Sequence, residues 1–237
     1  MIGPIRSLMR ERMGLHIQAQ EYQSGYGIAD LVGAEMSHER CQSREHIGLT
    51  EPLDPALLAV LHVLRTNTRT SLARLLRQCP VAESSLRNRI LPRLSALGLI
   101  RRYPDGYVEL LVSIPMPTRR IVAIEAKQTR WRQAILQARR YTFFANQSYI
   151  AVWNGTAQLV DRSMLYRHRL GLIGVDLDGA QVITEAPDIK PRSVHMNWRC
   201  AEFLYGRLLD ATNADQSHIS GTIVRNDTAL RLGVCAV

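Results

Sequence analysis

The run IVAIEAK, Ile121 to Lys127, constrains the fold of this chain most tightly. Side chains alternate along a strand, so Val122, Ile124 and Ala126 line one face while Ile121, Ala123, Glu125 and Lys127 line the other. Apolar residues on both faces predict a buried strand. Two opposite charges at the end of one face then need a reason, because a buried charge is costly unless it is paired or holds a metal. On these residues alone, an ion pair near the surface is a sufficient explanation.

The segments around this strand alternate in type. Ile5 to Met13 reads as a short helix, and LHIQAQEY (Leu15–Tyr22) and IADLVGAEM (Ile28–Met36) as strands joined by the SGYG turn. The polar, aperiodic SHERCQSREH (Ser37–His46) reads as a linker. After the charged strand, Arg130 to Gln147 has helical spacing, with Ala134, Ala138 and Tyr141 on one face. SYIAVWN (Ser148–Asn154) is a strand, Thr156 to Leu170 a helix, and GLIGVDLDG and QVITEA two further strands. His195 to Ala211 is an amphipathic helix, and residues 212–237 show no clear period. Strands alternating with helices imply an α/β sheet.

A different pattern lies between residues 48 and 112. Asp54 and Pro55 occupy the N-cap and first positions of a helix carrying Leu57, Leu58, Leu61 and Leu64. Thr70 to Cys79 is a second helix. Val81 to Ile100 is a third, closed by Gly98 and kinked by the internal Pro92. LIRRYP, a PDG turn and YVELLV complete a hairpin. The stretch SLARLLRQCPVAESSLRNRILPRLSALGLIRRYPDGYVEL resembles a winged helix-turn-helix domain. That resemblance places Ser84, Ser85, Arg87, Asn88 and Arg89 on the outer face of the recognition helix, where Arg reads guanine and Asn adenine in the major groove. Arg101 and Arg102 would meet phosphates at the start of the wing. The plain alternative is a solvated face on a domain-packing module.

The chain carries a net charge of +9, with 30 Lys+Arg against 21 Asp+Glu. Lysine occurs only at Lys127 and Lys190, so arginine supplies nearly all of the positive charge. Arginine binds phosphate bidentately, which favours a nucleic-acid partner over a basic protein with no such partner. The four cysteines, Cys41, Cys79, Cys200 and Cys235, form no CxxC pair and read as reduced thiols. The N-terminal stretch does not read as a signal peptide, and no window reaches membrane-spanning length. A soluble cytoplasmic protein is expected.

With residues 48–112 set aside, the flanking order is helix, strand, strand bearing Asp30, strand bearing Glu125 and Lys127, helix, strand. This resembles the PD-(D/E)XK nuclease superfamily, whose restriction endonuclease-like core is αβββαβ, with an Asp ending one strand and Glu-x-Lys on the next. The matching residues are Asp30 in GYGIADLVG and Glu125-Ala126-Lys127 in IVAIEAK; the Pro of the usual Pro-Asp pair is absent. The resemblance implies an α/β nuclease-like domain made of residues 1–47 and 113–237, interrupted by a winged-helix domain at 48–112. It implies Mg²⁺ or Mn²⁺ held by Asp30, Glu125 and the Ala126 carbonyl, with Glu21 as an accessory ligand and Glu11 a more distant one. Lys127 would orient the attacking water or the phosphate, so Asp30, Glu125 and Lys127 form the catalytic set. Gln137 and Tyr141 match the Q-x-x-x-Y motif of exonuclease-like members and would contact DNA phosphate or support Lys127, with Gln133 the alternate glutamine and a core role the alternative for Tyr141. Arg119, Arg120 and Arg130 flank the strand as further phosphate neighbours.

The expected activity is metal-dependent endonucleolytic cleavage of double-stranded DNA, without a membrane. A homodimer, or an ATPase-bearing or defence-system partner, is compatible with that reading. The alternatives are a DNA-binding regulator built on a nuclease-like scaffold and a structure-selective junction resolvase.

Overall fold

The structure is a computed structural model that describes residues 1–229, with side chains to residue 213. Cys235, and residues 230–237 of the second nuclease-like segment, lie outside the described residues. In chain order the first elements are α1 (Ile2–Glu11), β1 (Ile17–Gln23), β2 (Ile28–Met36) and α2 (His38–His46). Next come α3 (Pro55–Val63), β3 (Arg69–Ser71), α4 (Leu72–Gln78), α5 (Glu83–Ser85), a π-helical turn (Leu86–Ile90), α6 (Leu91–Ala96), β4 (Ile100–Arg102) and β5 (Tyr107–Leu110). The last group is β6 (Thr118–Ala126), α7 (Trp131–Tyr141), β7 (Gln147–Trp153), α8 (Asn154–Ala157), α9 (Arg162–His168), β8 (Gly171–Val175), β9 (Ala180–Thr184) and α10 (Val194–Ala229).

The protein is mixed α/β. A six-stranded sheet runs β1-β2-β6-β7-β8-β9, parallel only at β6–β7 and β7–β8. The charged strand β6 is central, as its apolar faces predict. Ile121 and Ala123 pack into a core shared with α7, α9 and α10, and Val122 and Ile124 into a second core under α1. Gly33 of β2 lets α1 approach: a Cβ there would lie 2.7 Å from Met9 Cε and 3.3 Å from Leu15 Cβ.

Residues between β2 and β6 build a third, separate core from α3, α4, the helix around 83–96, β4 and β5, including Leu57, Leu61, Leu75, Leu86, Ile90 and Leu94. Asp54 caps α3 by accepting from the Ala56 and Leu57 amides. The small sheet has the order β3-β5-β4.

Four details differ from the sequence reading. Ser37–His46 is mostly helix rather than linker; its buried residue is Arg44, so no apolar stripe announces it. The helix expected from Thr70 begins at Leu72, capped by Ser71, and Arg69–Ser71 pairs with β5 as a strand. The helix expected over 156–170 divides into α8 and α9, with Asp161 capping the second. The Pro92 kink takes a definite form. A π-turn precedes it, so Leu91 N–H bonds to Leu86 O, which relocates the register just before the residue that has no N–H to give.

Candidate functional site

Asp30 and Glu125 meet because β2 and β6 are antiparallel neighbours. Leu31 pairs with Ile124, which sets the next residues along, Asp30 and Glu125, opposite one another. The Asp30 Oδ2 accepts the Ala126 N–H at 2.7 Å, fixing that carboxylate against the end of β6. Lys127 Nζ lies 2.5 Å from Glu125 Oε1 and 3.8 Å from Asp30 Oδ2, so one ammonium serves both acids. Glu125 is buried at 1% exposure, whereas the Asp30 and Lys127 side chains remain 30% and 27% exposed. The cluster is therefore open on one side only.

Tyr141, at the last turn of α7, seals the other side. Its hydroxyl lies 2.7 Å from the Ile28 carbonyl and also touches Glu125 Oε2. A single hydroxyl proton can serve one acceptor at a time. An ionised Glu125 takes that proton, whereas a protonated Glu125 can donate to the tyrosine oxygen while Tyr141 donates to Ile28. Burial pushes the Glu125 carboxyl above its ordinary value, opposed by the hydrogen bonds of Lys127 and Tyr141 and reinforced by the Asp30 charge. Desolvation works against the Lys127 ammonium, but Glu125 and Asp30 outweigh it and hold its pKa above the usual range. Burial and Glu125 push the Tyr141 phenol up, so it stays neutral.

Gln137 lies one turn before Tyr141 on the same side of α7, and its Oε1 is buried without a partner among the described residues. Its side-chain oxygen thus keeps an unmet hydrogen-bonding capacity. Gln133, a further turn back, is exposed.

Glu21 is placed differently. Gln20 pairs with Leu31 and Tyr22 with Ala29, but Glu21 and Asp30 between them form no ladder pair, and Glu21 has φ 53°. A non-glycine residue held there costs on the order of 1–3 kcal/mol. Ala19, Tyr22, Ala29 and Val32 all join one core, which unbroken alternation would forbid, so the hairpin changes face at this point. Glu21 is exposed and lines a cavity with Tyr22, Pro52, Phe203 and Arg207, away from Glu125. Glu11, also exposed, ends α1, which covers the opposite side of the sheet. Among the described residues, no group of three or more His, Cys, Asp and Glu side chains converges. Arg119 and Arg120 also lie elsewhere: they approach Glu35 at 3.8 and 3.5 Å, at the far end of β6 from Glu125. Arg130 is exposed and forms the N-cap of α7, three residues after Lys127.

In the inserted unit, Ser84, Arg87, Asn88 and Arg89 are exposed, as are Arg101 and Arg102 on β4, while Ser85 is half-buried. Arg87 pairs with Glu83 at 2.7 Å, an exposed ion pair of little energy that a phosphate can replace.

Two features gave no sequence signal. Tyr26 in the β1–β2 turn stacks on Phe143 at 4.7 Å. Arg44 and Glu202 form a buried ion pair at 2.8 Å where the inserted unit joins the sheet. Stacking partners and ion pairs so distant in sequence follow no local period.

No protein-family model and no curated protein sequence matches the chain. A solved structure of a protein of unknown function from Silicibacter pomeroyi is similar over 41% of this chain and 60% of its own, with 23% identity and a TM-score of 0.28. This chain thus spans less than two thirds of that protein. No helix of the described residues is long and apolar enough to cross a membrane.

Proposed function

We propose that the protein is a metal-dependent nuclease of the PD-(D/E)XK kind, acting on double-stranded DNA that an inserted winged helix helps to hold. The observation that carries this reading is the convergence of Asp30, Glu125 and Lys127 from neighbouring strands into one half-open cluster. The order α1-β1-β2-β6-α7-β7 supports it, and the β3-β5-β4 sheet with its three-helix core supports the winged-helix part.

The donor set suits a hard divalent cation, which takes oxygen ligands and keeps several waters. The Ala126 amide fixes one Asp30 oxygen and leaves the other without a hydrogen bond among the described residues, and Glu125 offers a second carboxylate. The Ala126 carbonyl is the third candidate ligand; Glu21, turned to another cavity, would need to move. When bound, the cation lowers the pKa of a ligated water and offsets charge on the phosphate. The Lys127 ammonium, partly exposed at the open side, would face the phosphate and offset its charge. Tyr141 orients Glu125, and burial around Glu125 keeps water from competing for it.

The test is incubation with plasmid, linear duplex and single-stranded DNA in Mg²⁺ or Mn²⁺ and in EDTA. Cleavage is expected only with metal. Glu125→Ala and Lys127→Ala should each lower it by on the order of 10²-fold or more, the scale of losing one group that offsets developing charge. Metal-independent cleavage, or full cleavage by both variants, would sink the assignment. Duplex binding with no cleavage of any substrate would favour a regulator on a nuclease-like scaffold. Arg87→Ala with Arg89→Ala should weaken duplex binding and reduce its salt slope by about one for each phosphate no longer neutralised, measured by anisotropy across a salt series.

A further inference from the structure

A concave basin of about 390 Å³ lies at the C-terminal end of α7. Its walls carry six cationic side chains: Arg139 and Arg140 from the end of α7, Arg167 and Arg169 from the end of α9, and Lys190 and Arg192 from the segment before α10. No carboxylate lines it, and none of the six forms an ion pair with a described residue.

Basic residues at helix C-termini offset the helix dipole, which accounts for Arg139, Arg140 and Arg167 in part. It covers Arg169 too, the C-cap of α9, but it does not account for Lys190 and Arg192, which lie on no helix. The walls are fixed by backbone bonds: Arg192 N–H to Thr142 O at 3.1 Å and Ser193 N–H to Phe143 O at 2.9 Å. Like charges crowd here; partial burial, with the Arg139 and Arg167 guanidiniums, pushes the His168 imidazolium toward its neutral form. All six cations are exposed, so water screens part of their repulsion, and an anion in the concavity would offset the rest.

The basin and the acidic cluster share helix α7, which gives Arg139 and Arg140 to the one and Tyr141 to the other. Arg140 precedes Tyr141, whose hydroxyl touches Glu125. Arg192 lies over the Phe143 ring at 5.5 Å, and Phe143 stacks on the half-exposed Tyr26. A cationic surface bearing aromatic rings suits a single strand of nucleic acid, whose phosphates and bases it can meet together.

We propose that this basin binds a phosphate group of a nucleic-acid strand as it passes the Glu125–Lys127 cluster, a role that rests on the nuclease reading for its ligand. The phosphate is an internal diester or a terminal monoester; the chemistry of recognition is shared.

The experiment measures anisotropy of labelled single-stranded and duplex oligonucleotides in EDTA, each with a 5′-phosphate or a 5′-hydroxyl. Arg139→Gln with Arg192→Gln, and separately Arg167→Gln with Arg169→Gln, should each weaken binding about tenfold and lower the salt slope, because hydrogen bonds to a charged group are removed. Inorganic phosphate at millimolar levels should displace oligonucleotide from the wild type more than from the variants. A 5′-phosphate preference that vanishes in the variants identifies a terminal monoester, and equal losses on both ends identify a diester. Wild-type affinity in both pairs of variants, with unchanged circular dichroism, overturns the proposal. So does an equal loss in Arg10→Gln, an exposed arginine on the opposite side of the sheet, since that would reflect net charge alone. Weakened binding by the variants of a protein that cleaves nothing would keep the basin and refute the nuclease.

Discussion

Glu125 and Glu202 are both carboxylates buried to 1% and 2% exposure, and each faces one cation, yet their surroundings differ in kind. Both oxygens of Glu202 are saturated. Oε1 takes Arg44 at 2.8 Å and the Trp198 indole N–H at 3.1 Å; Oε2 takes Arg44 at 2.8 Å and the Leu53 amide at 2.9 Å. Arg44 also donates to the Pro115 carbonyl at 3.2 Å and lies over the Tyr205 ring at 4.7 Å. Glu125 has Lys127 on one oxygen and, on the other, a tyrosine hydroxyl that also reaches the Ile28 carbonyl, beside a second, partly exposed acid. A saturated buried charge joins parts of a fold. An undersaturated one beside an opening keeps capacity for something else.

The largest expected effect falls on the saturated side. Glu202→Ala leaves Arg44 uncompensated and should cost about 3–5 kcal/mol of stability by urea unfolding. A cost under about 1 kcal/mol would erase the distinction. Next, Tyr141→Phe removes one hydrogen bond from a buried cluster and should cost about 1–2 kcal/mol in the same measurement, together with a loss of metal-dependent cleavage. The smallest effect has the opposite sign. Because the folded protein holds the Glu125 pKa above its unfolded value, folding favours the neutral carboxyl, and that contribution is lost as pH rises through the folded pKa. Glu125→Gln should therefore raise stability by about 0.5–1 kcal/mol near neutral pH, a gain that shrinks as pH falls through the carboxylate range. Thermal melts from acid to neutral pH would show it; destabilisation at neutral pH would place Glu125 with Glu202 as a structural charge.

How much of the molecule is legible in its sequence depends on the range of the signal. The central strand, its two charges and the helix bearing Tyr141 follow from alternation and helical spacing within a dozen residues. Asp30 can be matched to Glu125 only by setting aside the segment between them, and the antiparallel register of β2 and β6 brings the two together. Strict alternation points Glu21 inward, and the positive φ at that residue breaks it; no propensity of glutamate announces such a conformation. Ser37–His46 looks like a linker because its buried face is an arginine, whose partner Glu202 lies far along the chain. The basin is illegible for the same reason: three separate segments supply its cations, and none has a charge run long enough to notice.

The inserted unit leaves from the end of β2 and returns at the start of β6, and Ser37 N–H bonds to Pro117 O at 2.8 Å across its base. The consequence is one of folding order. Pairing β2 with β6 requires closing a loop that contains a whole core, and each doubling of loop length adds about 0.6 kcal/mol to the entropic barrier. If that core condenses first, its two ends are already neighbours and the effective loop is short. The unit then acts as a nucleus for the very strand pair that sets Asp30 opposite Glu125. Weakening its leucines should slow the assembly of a site that none of them touches.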